Sequence, residues 1–234
     1  MKTKMLIYPF LLSGVFLFII SGCKKKEDSS NPTPAPETVT DIDGNVYHTV
    51  TIGTQVWMVE NLRTTRYNDG TLVPLVTEQG WWRYFTTPGY CFYNNDEAAY
   101  KDTYGALYNG YAVQTGKLAP KGWHIPNDEE WTTLITYLGG ADVAGGKMKE
   151  AGSNHWGEPN TGATNSSGFS ALPGGVRSGQ DGSFYARCVG GYWWSSTGLD
   201  NDYLRDISLM YTSAKVVRLE SDKWNGQSVR CIMD

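Results

Sequence analysis

The chain is poor in the residues that most catalytic and metal sites use, with three histidines and four cysteines among 234 residues. Charged residues make up only 19%, and no stripe of lysine and arginine follows the pattern of a nucleic-acid-binding face. Beyond residue 20 no apolar run is long enough to cross a bilayer. These shortages argue against a nucleic-acid-binding protein and against a chain with several membrane spans.

The first residues predict export rather than folded structure. A basic start and an apolar run over residues 5–20 lead to Gly22 and Cys23. This order is typical of a secretory signal. A cysteine directly after Gly22 resembles the bacterial lipobox, in which the thiol is acylated and becomes the new N-terminus. We expect residues 1–22 to be a lipoprotein signal peptide and Cys23 to be lipidated. A plain secretory signal and an anchor helix are the alternatives.

Residues 23–38 predict an extended tether between the acylated cysteine and the folded domain. They lack apolar periodicity and carry prolines at alternate positions 32, 34 and 36, a composition that favours polyproline-like chain. We expect attachment to the membrane of the bacterial cell envelope, namely the outer membrane. Acidic residues just after Cys23 resemble a surface-export signal, and both the periplasmic and the surface face stay open.

Residues 39–234 fit one domain, because no internal linker or repeat is evident. The pattern predicts an α+β fold with two helices, an antiparallel sheet and a long loop region. A hairpin is expected over residues 46–59. A helix should begin at Asn127, where Glu130 completes a capping box, and a second should cover residues 142–150. Residues 155–183 predict loop, and the later chain predicts strands that bring the domain's ends together.

Three cysteines remain after Cys23 is set aside, so at most one intrachain disulfide can form. Connectivity cannot be deduced from sequence alone. We take Cys188 and Cys231 as the candidate pair, with Cys91 and Cys231 as the alternative.

Several segments together resemble one family. They are IGTQVWMVENLRTTRYNDG, YGALYN, GWHIPNDEEW, AGGKMKEAGSNHW, GYWWSST and SVRCI. They are similar to the Fibrobacter succinogenes major paralogous domain over nearly all of residues 41–234. The resemblance implies a C-type lectin-like fold related to the formylglycine-generating fold, in a secreted or lipid-anchored protein of Bacteroidetes type. Relatives often carry cysteine where this chain has Ala119, so a bridge from that position would be absent here.

The triplet Glu158-Pro159-Asn160 is a candidate for binding calcium. In calcium-dependent animal lectins such a triplet holds the ion and the sugar hydroxyls on it, and oxygen ligands suit calcium. A lectin site also needs a Trp-Asn-Asp segment. The nearest match here is Trp224-Asn225-Gly226, far downstream and without the aspartate. We therefore expect a loop-ordering turn and no cofactor, with a calcium–sugar site as the alternative.

The sequence gives little support for an enzyme. No cysteine pair matches the copper-binding pattern of formylglycine-generating enzymes, and no nucleophile elbow is present.

Aromatic residues are abundant, with nine tryptophans and fifteen tyrosines, and such rings bind sugars or proteins when exposed. We expect non-catalytic binding of a glycan or of an envelope or extracellular protein. The expected face is residues 153–183 with Trp156, Trp194 and Trp224, although Trp193 and Trp194 could both be packed inside. An envelope structural or assembly protein is the alternative, and an enzyme the third.

Overall fold

The computed structural model describes residues 36–83 and 85–234, which contain thirteen strands, five α-helices and one short 3₁₀ helix. The predicted signal peptide, Cys23 and most of the tether lie outside these residues. The strands are β1 (Thr38–Thr40), β2 (Val46–Ile52), β3 (Gln55–Met58), β4 (Tyr90–Cys91), β5 (Leu107–Asn109), β6 (Trp123–His124), β7 (Val176–Arg177), β8 (Phe184–Tyr185), β9 (Gly190–Gly198), β10 (Tyr203–Met210), β11 (Val216–Asp222), β12 (Gly226–Gln227) and β13 (Ile232–Met233). The helices are α1 (Gln79–Arg83), α2 (Glu97–Tyr104), α3 (Gly110–Gln114), α4 (Asp128–Tyr137) and α5 (Ala141–Met148), with the 3₁₀ helix at Tyr93–Asn95.

The first sheet joins the two ends of the domain. Its strand order is β1-β2-β3-β13-β6, so the last strand of the chain inserts between the N-terminal hairpin and β6. Ile232 pairs with both Trp57 and His124. The predicted hairpin is confirmed as β2 and β3, and the prediction that late strands meet the early ones holds through β13.

Two further sheets complete the α+β architecture, with strand orders β11-β10-β9 and β4-β5-β12-β7-β8. Adjacent residues of a strand point to opposite faces, and in β9 both faces are covered. Trp193 packs with Trp57 and Phe169 in one apolar cluster. Trp194 packs with Tyr108 in another. The described chain therefore has core on both sides of β9.

The expectation of two helices is wrong, because the described residues form five. The two expected helices are present as α4 and α5, and α4 begins with the predicted capping box between Asn127 and Glu130. The other three are only five to eight residues long. Helices of this length are held by tertiary packing rather than by their own propensity. The cap of α2 is Asp96, which accepts from the Ala99 amide.

A buried polar network connects three of the segments that mark the sequence. Asn61 Oδ1 accepts from Trp193 Nε1 at 2.8 Å and from Arg230 Nη2 at 2.8 Å. The Asn61 amide donates to the Tyr104 carbonyl and to Ser228 Oγ. All five residues are buried. The segments ENL, GYWW and SVRC therefore meet inside the core and have a structural role there.

The predicted loop region, residues 155–183, contains only β7 as regular structure among its described residues. Its anchors include Phe169 and Ala171, both fully buried as expected. A further anchor is Lys149, whose ammonium donates to the carbonyls of Thr161 at 3.0 Å, Met210 at 3.1 Å and Ser213 at 2.9 Å. One buried cation thus fixes this loop to the β10–β11 turn.

The expected disulfide between Cys188 and Cys231 is not formed, and Cys91 is also a free thiol. Cys231 is fully buried in the cluster that contains Trp194, whereas Cys91 belongs to a different cluster. Cys188 lies in the partly exposed turn between β8 and β9. Burial raises the pKa of Cys91 to about 12 and also raises the pKa of Cys231. The protein interior holds these two cysteines as small apolar side chains.

Candidate binding cleft

The short helix α1 forms a ridge on the surface. Its residue Trp82 is 1% exposed and packs into a small apolar cluster with Val76, Cys91 and Leu107. The preceding residue, Trp81, is 71% exposed, the largest exposure among the exposed large apolar side chains of the described residues. One indole therefore anchors the helix while its neighbour faces solvent.

Arg177 holds this ridge against the loop that follows β7. The guanidinium is fully buried and donates to the carbonyls of Val76, Thr77 and Gly182. Its Cζ lies 4.4 Å from the centroid of the Trp82 ring. Stacking on an aromatic ring and hydrogen bonds to three carbonyls both stabilise a buried guanidinium. One side chain thus joins the entry to α1, the helix itself and the 178–183 loop.

A cleft of about 480 Å³ lies between α1 and that loop. This volume falls within the range of small-ligand sites. Its lining residues are Arg83, Thr86, Gly179, Gln180 and Trp224. The cleft thus combines one indole with amide, hydroxyl and guanidinium groups.

Trp224, the aromatic wall of this cleft, is fixed from behind. Its Nε1 donates to the Tyr111 hydroxyl at 2.6 Å, and the Asn225 side chain accepts from the Gly179 amide at 2.9 Å. Gly179 approaches so closely that a Cβ there would lie 2.5 Å from the Trp224 Cβ. Only glycine fits at this contact, and the indole is therefore positioned before any ligand arrives.

A second cleft, of about 280 Å³, lies on the other flank of α1. It is lined by the chain leading into the helix together with Trp81 and Phe85, and among the lining groups are Thr77 and Glu78. Leu75, on its edge, is 52% exposed. The two clefts thus share the α1 ridge as a common wall.

The structure separates the predicted aromatic residues. Trp156 is 1% exposed and donates to the Ala171 carbonyl, and Trp194 is 0% exposed and donates to the Tyr108 carbonyl. The prediction that these two rings face a ligand is wrong, because residues distant in the sequence, such as Tyr108 for Trp194 and Phe169 for Trp156, pack over them. Trp224 is half-buried and lines the first cleft together with part of the predicted loop.

The Glu158-Pro159-Asn160 triplet lines a different cavity from Trp224 and has a cis peptide bond before the proline. Glu158 is exposed. The Asn160 amide donates to the carbonyls of Glu150 and Gly152, and its Oδ1 is closed off from solvent without a partner. The contacts of Asn160 are those of a loop-ordering residue. Asn225, the other predicted asparagine, is half-buried and accepts from the amide of Gly179, which lines the first cleft.

The sequence analysis did not predict α1, Trp81 or the clamp at Arg177. The signal for the ridge was the sequence QGWWR, because adjacent tryptophans on a helix point in directions about 100° apart. No signal marked Arg177, because a lone arginine after Gly-Gly-Val is ordinarily exposed.

His124 lies between two carboxylates. His124 bonds to the Asp234 side chain through Nδ1 at 2.7 Å and to Glu130 through Nε2 at 2.8 Å. Burial lowers the pKa of His124, but these two carboxylates outweigh it, so the pKa is raised. Within residues 36–83 and 85–234, no group of three or more histidine, cysteine or acidic side chains is arranged to hold a metal.

No helix within the described ranges is both long and apolar enough to cross a bilayer. Comparison with curated proteins and with solved structures finds no match. The family model of the Fibrobacter succinogenes major domain matches residues 50–233, and the protein therefore belongs to this family.

Proposed function

We propose that the protein is a lipid-anchored, non-catalytic binding protein of the bacterial cell envelope, and that it binds glycans in the cleft beside Trp224. The observation that carries this proposal is the cleft itself. A partly exposed indole, hydrogen-bonded to Tyr111, lines the cleft together with Gln180 and Thr86. A pyranose ring has an apolar face of C–H groups and a rim of hydroxyls, and these would meet the indole and the polar groups respectively.

The anchor is proposed from the sequence, where Cys23 follows the apolar run. A C-type lectin-like architecture is proposed from the family resemblance. The pairing of β13 with the N-terminal hairpin and the irregular chain between α5 and β9 support it. Metabolic labelling with a fatty-acid analogue, compared between the wild type and Cys23→Ala, tests the anchor separately from the binding site.

The binding test is a glycan-array screen of the full-length protein followed by titration with the glycans that bind. Trp224→Ala should weaken binding about tenfold or more, because truncation of a buried aromatic contact costs above ~1.4 kcal/mol. Gly179→Ala should also weaken it by displacing the indole. Tyr137→Ala is the matched control, since that ring is 65% exposed on α4 and remote in sequence from the cleft. Unchanged affinity of Trp224→Ala for every bound glycan would refute the proposed site.

Calcium dependence is a separate outcome of the same titration. We expect equal affinity with calcium and with a chelator, because the Asn160 side chain is committed to two backbone carbonyls. Glu158→Gln should therefore bind as the wild type does. Loss of binding in the chelator and in Glu158→Gln would assign the ligand to the Glu158 cavity instead.

A further inference from the structure

Among the described residues of α1, only Gly80 faces away from the core. Successive helical residues are rotated by about 100°, so when Trp82 points into the core, Trp81 and Arg83 lie on opposite flanks. Gly80 then faces away from the core. It is exposed, and a Cβ added there would have nothing within 4 Å. At this position the outer side of the helix is bare backbone.

Each flank of this ridge presents an aromatic face beside polar groups. One flank has Trp224 with Thr86 and Gln180. The other has the open Trp81 indole with Thr77 and Glu78. The same pairing of apolar ring and polar group occurs twice, which a single small ligand would not require.

We propose that α1 is a saddle for an extended glycan chain, with the Trp224 cleft and the Trp81 face as subsites on either side and Gly80 as the crest. This inference rests on the proposed function and specifies its ligand as a chain rather than a terminal sugar. An α-helix with its side chains is about 10 Å across, so one sugar ring cannot reach both flanks.

The test compares ligand lengths on the purified full-length protein. The probes are the disaccharide and the hexasaccharide of the cello, xylo, manno and chito series, titrated by calorimetry. The hexasaccharide of the recognised series should bind about tenfold more tightly than the disaccharide, because it gains a second aromatic contact. Trp81→Ala should remove this gain and leave the disaccharide affinity unchanged.

Gly80→Gln is the second variant. It places a side chain on the crest of a helix whose backbone accepts it, and glutamine favours helix more than glycine does. Its melting temperature should be no lower than that of the wild type, while the hexasaccharide gain is lost. This variant separates obstruction of the chain from damage to the fold.

The outcomes distinguish the two proposals. If Trp81→Ala and Gly80→Gln keep the full hexasaccharide gain while Trp224→Ala loses affinity, the saddle is wrong and the Trp224 cleft stands. If no probe binds, or Trp224→Ala binds every probe normally, both are wrong. If, in the Cys23→Ala background, Trp81→Ala abolishes sedimentation with phospholipid vesicles and leaves hexasaccharide affinity intact, the Trp81 face is a membrane contact and the saddle is wrong.

Discussion

At the scale of single residues, four buried cations hold the irregular parts of the chain. Lys149, Arg177, Lys223 and Arg230 are each less than 5% exposed, and each donates to backbone carbonyls. Burial of a charge is tolerated only when its hydrogen-bonding capacity is satisfied. Loop carbonyls lack the hydrogen-bond donors that strands and helices provide. These cations supply the missing donors, and the carbonyls in turn satisfy the buried charges.

Removal of the Lys149 ammonium should be costly. Burial lowers the pKa of this lysine to about 8, and Lys149→Met would leave three carbonyls without their donor. We expect a loss of about 3 kcal/mol in the free energy of unfolding, as for other broken buried polar networks. Urea titration measures it, with the partly exposed Lys147→Met as the control. A loss below about 1 kcal/mol would mean that water replaces the ammonium.

His124 gives the stability a defined dependence on pH. Its folded pKa is raised by Asp234 and Glu130, so protonation favours the folded state. The contribution is fully present below the unfolded value of about 6.5 and is lost as the pH rises through the higher folded value. The histidine is partly exposed, which weakens the effect. Melting curves should show this decline in the wild type and not in His124→Gln, and an identical pH profile for both would contradict it.

Exposure of individual rings was the least predictable property of the chain. Alternation along β9 correctly places Trp193 and Trp194 on opposite faces, but both faces are covered. The covering residues, such as Phe169 and Tyr108, come from distant parts of the sequence. Trp156 is covered for the same reason. The local alternation predicts to which face of the strand a side chain points, whereas its burial depends on residues distant in the sequence.

At the scale of elements, α4 shows what local sequence determines. Its capping box requires only residues three positions apart, and both hydrogen bonds are present between Asn127 and Glu130. Asn127→Ala should lower the free energy of unfolding by about 1 kcal/mol. Asn127→Ser, which keeps a capping oxygen, should recover most of it. Equal losses in the two variants by urea titration would show that the cap contributes little.

Helix α1 shows the opposite case. Its five residues are too few for a helical period to be read, and its position depends on Trp82 packing and on the Arg177 clamp from a segment far along the chain. The helix that carries the candidate clefts is therefore the one that sequence alone could not place.

At the scale of the whole molecule, the order of strands in the first sheet makes the C-terminus a central element. β13 lies between β3 and β6, and Arg230 completes the network around Asn61. The prediction that the ends of the domain meet follows from the order of strand patterns along the sequence. The three-sheet arrangement does not, since pairing partners of short strands are not encoded locally.

Deletion of residues 230–234 should abolish cooperative unfolding, although it removes little of the chain. The loss takes away a central strand and removes the Arg230 donors from the buried Asn61 Oδ1. Far-ultraviolet circular dichroism and thermal melting would show this, with Asp234→Asn as a control that keeps β13. A cooperative transition in the truncated protein would contradict the central role of this strand.

The late position of β13 also sets a time at which the domain can fold. Domains fold as units during synthesis, which proceeds from the N-terminus, and here the first hairpin must wait for β13, which is synthesised long after it. Until β13 is synthesised, the nascent chain lacks a central strand of its first sheet. Under the proposed export, this delay would leave the chain unfolded while it passes through a translocation channel, and folding would follow on the far side of the membrane.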